Sequence, residues 1–300
     1  MLGRERMKTG LNSARSDEWA GVALALVSAV ASGSLGILGK AAASLGMGTP
    51  TLLSWRFGLT AALLFALGAG RVGRGERVRL LVVGAMYAMS TVAYFTALGR
   101  VSAGTAGLLV YVAPAFVVLY GALLGTRPTV GQVGALVLAL AGLGVVVGLP
   151  GAADADALGL AAGGAAGALY GGFVFASGRL AAGSAPLTVT AHVALVCALT
   201  FAALGFAHGT PGVPSGAAQW TVVVAMIVAP TLVAIPALLG AVRRIGGTRA
   251  SLLATTDPLW TLLFAALFLG EGVGASQLLG GALILSGSAL AQIGGGTRRD

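Results

Sequence analysis

Charged residues and cysteines are scarce in this chain of 300 residues. Asp, Glu, Lys and Arg make up 9% of it, whereas soluble domains contain about 25%. So few charges leave too little polar surface to cover a water-soluble globule, and the mean hydropathy is +0.95. The single cysteine, Cys197, excludes an internal disulfide and a cysteine-cluster metal site. We therefore expect a protein embedded in a lipid bilayer, without a bound metal ion.

Motifs for catalysis and for nucleotide binding are also missing. Residues 33–41 superficially resemble a phosphate-binding loop, but the spacing is wrong and Ala41 stands where Ser or Thr is required. No HExxH, paired His/Cys or Gly-x-Ser-x-Gly motif occurs. The net charge of +9 comes from residues in short gaps between apolar runs, not from a basic surface with aromatics. We predict no enzyme activity, no cofactor and no nucleic-acid partner.

Ten apolar segments follow one another along the chain. Each is long enough for a helix to cross about 30 Å of hydrocarbon. Helices are expected because lipid cannot satisfy free backbone groups. The segments are at 19–39, 51–69, 80–98, 103–124, 130–149, 158–177, 186–206, 220–242, 250–269 and 276–292. The prediction is an all-α integral membrane protein with ten transmembrane helices.

The distribution of Lys and Arg predicts the orientation. If the N-terminus is cytoplasmic, all but three of the 18 basic residues fall at the inner ends of the segments. The three exceptions are Lys40, Arg56 and Arg100. The outer loops contain acidic residues such as Asp154 and Asp156 instead. We expect a multi-pass protein of the plasma membrane of a prokaryote, with both termini in the cytoplasm.

The two halves of the chain resemble each other at a nearly constant offset in residue number. Matching pairs are Arg100 and Arg244, Pro114 and Pro258, and Gly142 and Gly287. Five segments per half is an odd number, so the halves must cross the membrane in opposite senses. Inverted repeats of this kind are typical of secondary transporters, whose substrate sites lie near the midplane where the repeats meet.

The repeat divides the chain into five parts. They are a cytoplasmic tail (1–17), a first five-helix repeat (18–149), an outer linker (150–157), a second five-helix repeat (158–293) and a cytoplasmic tail (294–300).

The segment 240–259, GAVRRIGGTRASLLATTDPL, and the sequence FLGE at 268–271 resemble the second half of an EamA-type protein of the drug/metabolite transporter superfamily. Lys40 and Arg56 are similar to a Lys and an Arg that recur in that family. The resemblance covers about residues 18–293. It implies two five-helix repeats around a central cavity, cytoplasmic termini, and transport of amino acids, other metabolites or drugs, often outward.

Two positions depart from the family pattern. Gly125-Thr126-Arg127 stands where many members have Gly-Glu after the fourth helix, so this inner turn lacks its usual acid. Asp257 stands where many members have Glu before the proline of the ninth helix. The charge is kept there, but the side chain is shorter by one methylene.

Asp257 is the first candidate for the functional site. It lies in the middle of the apolar segment 250–269, directly before Pro258, where a carboxylate costs about 2.5–3.5 kcal/mol and must face a protein interior or a water-filled cavity. It can bind substrate or a proton. Alternatively, it can cap the helix that resumes at Pro258, or it can pair with a basic residue. The first two roles are compatible, because broken helices line transporter sites.

Six further side chains are candidates for substrate binding or coupling: Trp260, Tyr111, Tyr87, Tyr170, Arg56 and Lys40. Trp260 follows Asp257 by one helical turn and lies on a similar face. An aromatic wall beside a carboxylate suits a cationic ligand, while core packing is the alternative for each aromatic residue. For Lys40 the alternative is extension to the membrane interface, and for Arg56 it is an ion pair with an outer acid such as Glu271.

Four prolines are candidates for helix breaks or hinges: Pro114, Pro230, Pro236 and Pro258. Each removes one helical hydrogen bond. At Pro230 and Pro236 two interpretations remain: the proline acts as a hinge, or it only kinks a packed helix.

The sequence therefore predicts a secondary transporter for a small metabolite. An amino acid or a related compound is the first choice, exported by alternating access, either coupled to protons through Asp257 or uncoupled. An exporter of lipophilic drugs or cations is the main alternative, and a non-transporting membrane scaffold is another. The expected partners are a small-molecule substrate, the lipid bilayer and, with coupling, protons.

The predicted topology can be tested with an Asp156→Cys variant. Because residue 156 is expected outside, an impermeant maleimide added to intact cells should label it. An Arg127→Cys control, expected inside, should react only after the membrane is opened. Labelling of residue 156 only from the inside would contradict the topology.

Overall fold

The described part of the chain contains helices and no strand. The computed structural model describes residues 2–148, 156–207, 212–269 and 274–293. The α-helices are α1 (Leu2–Ser44), α2 (Thr49–Ala66), α3 (Arg74–Leu98), α4 (Ala103–Tyr111), α5 (Ala113–Leu123), α6 (Val130–Val147), α7 (Ala157–Leu180), α8 (Pro186–Ala207), α9 (Gly216–Ile227), α10 (Ala234–Ala254), α11 (Asp257–Leu269) and α12 (Ala275–Ile293). A π-helical turn, Val228–Val233, joins α9 to α10. The all-α prediction is confirmed.

Within the described residues, six helical stretches are long and apolar enough to cross a membrane. They are Ser16–Ser44, Arg74–Leu98, Thr105–Leu123, Ala157–Leu180, Pro186–Ala207 and Gly216–Ala254. Three shorter apolar stretches are Val130–Val146, Asp257–Phe268 and Ala275–Ala291. The first helix begins earlier than the apolar pattern suggested, at Leu2. Residues 2–17 contain no proline, the residue that would end or kink the helix.

Two pairs of consecutive helices are separated by breaks of only one or two residues. α4 ends at Tyr111 and α5 begins at Ala113, while α10 ends at Ala254 and α11 begins at Asp257. Each second helix has a proline at its second position, Pro114 or Pro258, which has no amide hydrogen for the preceding turn. The two breaks are therefore at equivalent places in the two halves.

A further break lies inside α10. Gly246 has φ 78°, a backbone conformation that favours glycine. Residues 247–254 consequently form a separate helical segment. Together with α11 this segment corresponds to α4 and α5, at the offset that relates Pro258 to Pro114.

The π-helical turn contains Pro230, which has no amide hydrogen to donate. The hydroxyl of Thr231 donates to the carbonyl of Met226, 2.8 Å away. π-helical turns are rare and occur frequently at functional sites. Beyond the turn, the helix continues without a break through Pro236.

Serine contacts between the halves follow the repeat. The Ser28 hydroxyl of α1 donates to the Ala234 carbonyl of α10, and the Ser90 hydroxyl of α3 donates to the Ala166 carbonyl of α7, each at 2.8 Å. Position 234 is the counterpart of position 90 at the offset of the proline pair. Position 166 is the counterpart of position 28 at a slightly shorter offset. The two hydrogen bonds therefore join equivalent positions of the two halves. The donor is in the first half in both, but it lies at position 28 in one bond and, in the other, at position 90, the counterpart of the first bond's acceptor.

Glycines bring α6 and α12 together in the same reciprocal way. A Cβ atom placed on Gly142 would lie 2.6 Å from the Gly280 carbonyl oxygen, and one on Gly287 would lie 2.7 Å from the Ala135 carbonyl oxygen. The equivalent positions are 142 and 287, and 135 and 280. Residue numbers rise along α6 as they fall along α12, so these two equivalent helices run antiparallel. The reciprocal contacts therefore place equivalent positions of α6 and α12 opposite each other.

The helices form two groups, each containing segments of both halves. In bundle A, α1 packs on the π-helical turn, α10 and α11; in bundle B, α7 packs on α3, α4 and α5. α2 packs on α8, and α6 packs on α12. The largest buried cluster includes Phe57 of α2, Phe173 of α7 and Leu238 of α10. Both halves therefore contribute to one continuous core.

The glycine contact of α6 gives a stability prediction. Gly142→Ala should lower the free energy of unfolding by about 1–3 kcal/mol, because its methyl group meets backbone atoms that cannot move aside. Gly144 of the same helix has no atom within 4 Å of its Cβ position, so Gly144→Ala should leave stability unchanged or raise it. Thermal unfolding in detergent measures both variants. Equal melting temperatures would contradict the close helix contact.

Candidate functional site

Asp257 lies where the two bundles face each other. Its side chain is half-buried, at the start of α11 in bundle A. The Tyr111 hydroxyl, at the end of α4 in bundle B, donates a hydrogen bond to its carboxylate. The backbones of α4 and α11 do not pack closely against each other. The two side chains therefore bridge a gap between the broken helices of the two halves.

Three more tyrosines surround this carboxylate. Tyr87 and Tyr94 of α3 and Tyr170 of α7 lie within electrostatic reach of Asp257. Each is half-buried, and all of them belong to bundle B. One side of the gap thus has the carboxylate, while the other side has rings and hydroxyl groups.

The charge of Asp257 has no basic partner among the described residues. Tyr111 is the side chain that hydrogen-bonds to it, and no Lys or Arg side chain is within its electrostatic reach in that part of the chain. The ion-pair interpretation is therefore not supported. An acid of this kind, in an apolar interior, needs a proton or a cationic ligand to balance its charge.

The capping interpretation of Asp257 also differs from the geometry. The carboxylate points to Tyr111 of the facing bundle, and α11 already includes Asp257 as its first residue. The Leu259 amide donates to the Thr256 carbonyl at 3.0 Å, so a backbone oxygen satisfies this early donor. The carboxylate is consequently directed toward bundle B and not along its own helix.

Arg56 is enclosed in the protein and does not lie on an outer surface. Arg56 is 3% exposed to solvent. Its Nε donates to the Thr231 hydroxyl at 2.7 Å, and its Nη2 donates to the Pro230 carbonyl at 3.1 Å. It also donates to the Tyr87 hydroxyl and lies 4.6 Å above the Phe57 ring. Neutral groups therefore satisfy this cation, and the ion pair proposed with Glu271 involves a residue outside the described ones.

Tyr87 connects Arg56 with the tyrosines around Asp257. Its hydroxyl accepts a hydrogen bond from Arg56, and its ring centroid lies 6.1 Å from that of Tyr170. Phe173 packs edge-on against it at 5.0 Å. Arg56 and Tyr87 therefore connect the π-helical turn to the other tyrosines near Asp257.

Trp260 and Lys40 are apart from this group. Trp260 packs against α1. A Cβ atom placed on Gly33 of α1 would lie 2.6 Å from the Cβ atom of Trp260. Its indole nitrogen is buried without a hydrogen-bond partner among the described atoms. Lys40 is exposed near the end of α1. The structure thus groups Asp257, Tyr111, Tyr87 and Tyr170. Trp260 lies next to this group, against α1, and Lys40 lies further away.

Two residues of the site are missing from the sequence-based candidates. Tyr94 follows Tyr87 by two helical turns along the same face of α3, and this spacing could have identified it. Thr231 bonds to Arg56 only because a π-helical turn places it there. No periodicity in the sequence signals that turn.

Comparisons with known proteins agree with this architecture. The model of the EamA-like transporter family matches residues 19–148 and 157–292, one match in each half. A solved structure titled "Crystal structure of protein" has a TM-score of 0.75 and 24% sequence identity, covering 91% of this chain and 97% of that one. At that identity the likeness concerns the fold alone. No curated protein matches the sequence.

The contacts of Arg56 predict a large effect of a conservative substitution. Arg56→Lys should lower the free energy of unfolding by about 2–4 kcal/mol, because an ammonium group cannot donate to Thr231 and Pro230 in the same geometry. Arg179 also lies over an aromatic ring, 5.0 Å from Phe175, but it is exposed. The control Arg179→Lys should change little. Unfolding in detergent compares them, and equal loss in both would contradict the enclosed position of Arg56.

Proposed function

The chain belongs to the EamA-like transporter family, and from this premise we propose that it is a secondary transporter that binds an amine-bearing metabolite at Asp257. The observation that supports this most is the half-buried carboxylate with no basic partner among the described residues. A substrate ammonium group would balance its charge at the interface of the bundles. An amino acid or a related compound carries such an ammonium group, and export is the proposed direction.

The tyrosines support an organic cation in particular. Ring faces attract ammonium groups, with about 0.5–2 kcal/mol for each good contact. Their hydroxyl groups can donate to an acceptor such as a carboxylate of the same ligand. An α-amino acid presents both an ammonium and a carboxylate group. The same tyrosine rings also suit lipophilic cations. This observation favours a drug exporter as the second candidate.

The transport cycle proposed here is alternating access. We propose ten membrane-spanning segments in two inverted repeats, supported by the antiparallel packing of α6 on α12 and by the reciprocal serine contacts. Both termini are assigned to the cytoplasm of a prokaryotic cell, with the protein in its plasma membrane. A substrate shifts the equilibrium only by its difference in affinity for the two states. Asp257 and Tyr111 belong to different bundles, so bundle motion changes this affinity directly.

Proton coupling depends on the same carboxylate. The other acidic side chains that the structure describes, Asp17, Glu18, Glu76 and Asp156, lie at or near the ends of the apolar stretches. If a proton is exchanged for the substrate, Asp257 is the proposed carrier.

Flux into proteoliposomes tests the role of Asp257. We expect uptake of an amino-acid panel by counterflow, and Asp257→Asn should reduce it about 10- to 100-fold, because a charge-assisted contact of about 1.5–3 kcal/mol is lost. N-acetylated amino acids, which have no ammonium group, should not be transported. Full activity of Asp257→Asn would contradict the proposed site.

Matched measurements separate the alternatives. Asp156→Asn removes an exposed carboxylate and should leave the amine selectivity unchanged. Asp257→Ala should lower thermal stability more than Asp257→Asn, because only the amide oxygen of Asn keeps an acceptor for the Tyr111 hydroxyl. If flux of the native protein follows a pH gradient and that of Asp257→Asn does not, the acid carries the proton. Transport of a lipophilic cationic dye but of no amino acid would favour the drug exporter, and no flux at all would favour a scaffold.

A further inference from the structure

Two opposite charges in the interior each lack a charged partner among the described residues. No carboxylate of that part of the chain lies within electrostatic reach of Arg56, and no Lys or Arg lies within reach of Asp257. Arg56 donates to the neutral groups of Thr231 and Pro230, so its donors are satisfied while its charge is not balanced. A charge in an apolar interior is costly unless an opposite charge approaches it. The interior therefore favours an anionic group near Arg56 as well as a cationic group at Asp257.

Tyr87 is a side chain within reach of both charges. Its hydroxyl accepts a hydrogen bond from Arg56, and Asp257 acts on it electrostatically. Arg56 itself is too enclosed to meet a ligand, whereas Tyr87 is half-buried. Tyr87 thus extends the effect of the enclosed cation to the tyrosines around Asp257.

The hydrogen bond from Arg56 determines what the Tyr87 hydroxyl can do. A phenol oxygen accepts hydrogen bonds through its lone pairs and donates one proton. Because the guanidinium group occupies a lone pair, the hydroxyl proton is directed away from Arg56, and it has no acceptor among the described residues. Consecutive hydrogen bonds polarise one another, so a hydroxyl that accepts from a cation becomes a stronger donor. The Tyr87 hydroxyl is therefore suited to an anionic acceptor.

The other three tyrosines near Asp257 have no cation beside the hydroxyl. The Tyr111 hydroxyl donates to Asp257 itself. Asp257 also acts on Tyr94 and Tyr170, and no basic side chain of the described residues does so. A ligand carboxylate near these rings is repelled by Asp257, whereas near Tyr87 the charge of the enclosed arginine offsets this repulsion. The electrostatics thus distinguish one hydroxyl from the other three.

We propose that Tyr87, hydrogen-bonded to Arg56, recognises a carboxylate of the substrate, and that the substrate is a zwitterion whose ammonium group binds Asp257, which presupposes the amine binding proposed above. A zwitterion adds no net charge to a site that already contains one cation and one anion. A simple amine leaves an excess positive charge, which is costly in an apolar interior. Amines and lipophilic cations without a carboxylate therefore bind more weakly than α-amino acids. Arg56 is a positioning residue, because it acts on the ligand through Tyr87.

Binding of two matched ligands tests the role of Tyr87. They are the amino acid of the panel that the native protein takes up fastest and its α-carboxamide, which keeps the ammonium group and lacks the carboxylate. Calorimetry in detergent at about pH 6, where both α-amino groups are protonated, gives both Kd values. The native protein should bind the amino acid at least about tenfold more tightly than the amide. Tyr87→Phe keeps the ring and removes the hydroxyl, so affinity for the amino acid should fall about tenfold while affinity for the amide stays the same.

Two control variants separate ligand recognition from structural support. Tyr170→Phe removes the hydroxyl of a neighbouring ring that has no cation beside it, and its preference for the amino acid over the amide should equal that of the native protein. Thr231→Val removes another partner of Arg56 and should lower thermal stability while keeping the preference. Equal affinities for the two ligands in the native protein, an unchanged preference in Tyr87→Phe, or the same loss of preference in Tyr170→Phe would overturn the inference. The native comparison needs no variant, so it can overturn the inference even where Tyr87→Phe is unstable.

The same two ligands distinguish this inference from the proposed function. Asp257→Asn should weaken the amino acid and the amide alike, because both carry the ammonium group. If Asp257→Asn weakens neither ligand, the amine site is refuted. If it weakens both while Tyr87→Phe keeps the native preference, the amine site stands and the carboxylate site is refuted. Binding of neither ligand by the native protein would refute both.

Discussion

Close contact between helix backbones is the constraint on which this structure depends. Lipid tails are as apolar as leucine, so helices in a membrane gain little from hiding apolar surface and associate through close packing and hydrogen bonds. Here glycines such as Gly21, Gly142 and Gly159 leave no room for a Cβ atom. The contacts join helices from different halves of the sequence. The packing units of the molecule are therefore the two mixed bundles, not the two repeats.

Two ionisable side chains lie in the interior, and they differ in how many hydrogen bonds they make. Arg56 is almost fully enclosed, and its donors reach Thr231, Pro230 and Tyr87. A π-helical turn provides two of these acceptors, so an irregular backbone compensates for the buried cation. Asp257 is half-buried and receives one hydrogen bond, from a side chain of the facing bundle. The first charge is thus part of the framework, whereas the second carries the role proposed here for binding a ligand or a proton.

Much of the architecture was predictable because it depends on patterns that repeat. The internal repeat placed Pro114 opposite Pro258, and an acid in an apolar run indicated Asp257. The position of Arg56 was not predictable, because its partners are set by a π-helical turn without periodicity. The relation between α1 and α7 was also hidden, since their offset is shorter than that of the other helices. Tertiary contacts such as Ser28 with Ala234 reveal it.

The departure from two-fold symmetry is as informative as the symmetry itself. Two bundles built from equivalent helices have two equivalent ways to touch, one at each end of the molecule. Both cannot form together if the gap at Asp257 is to be reached from one side. In this structure the contact, between α7 and α10, forms at the end where a valine stands at position 174 of α7, and α1, whose counterpart position 36 is a glycine, does not pack closely on α3. These differences lie at the contact between the bundles, whereas the contacts inside each bundle, such as those of Gly21 and Gly159, are equivalent.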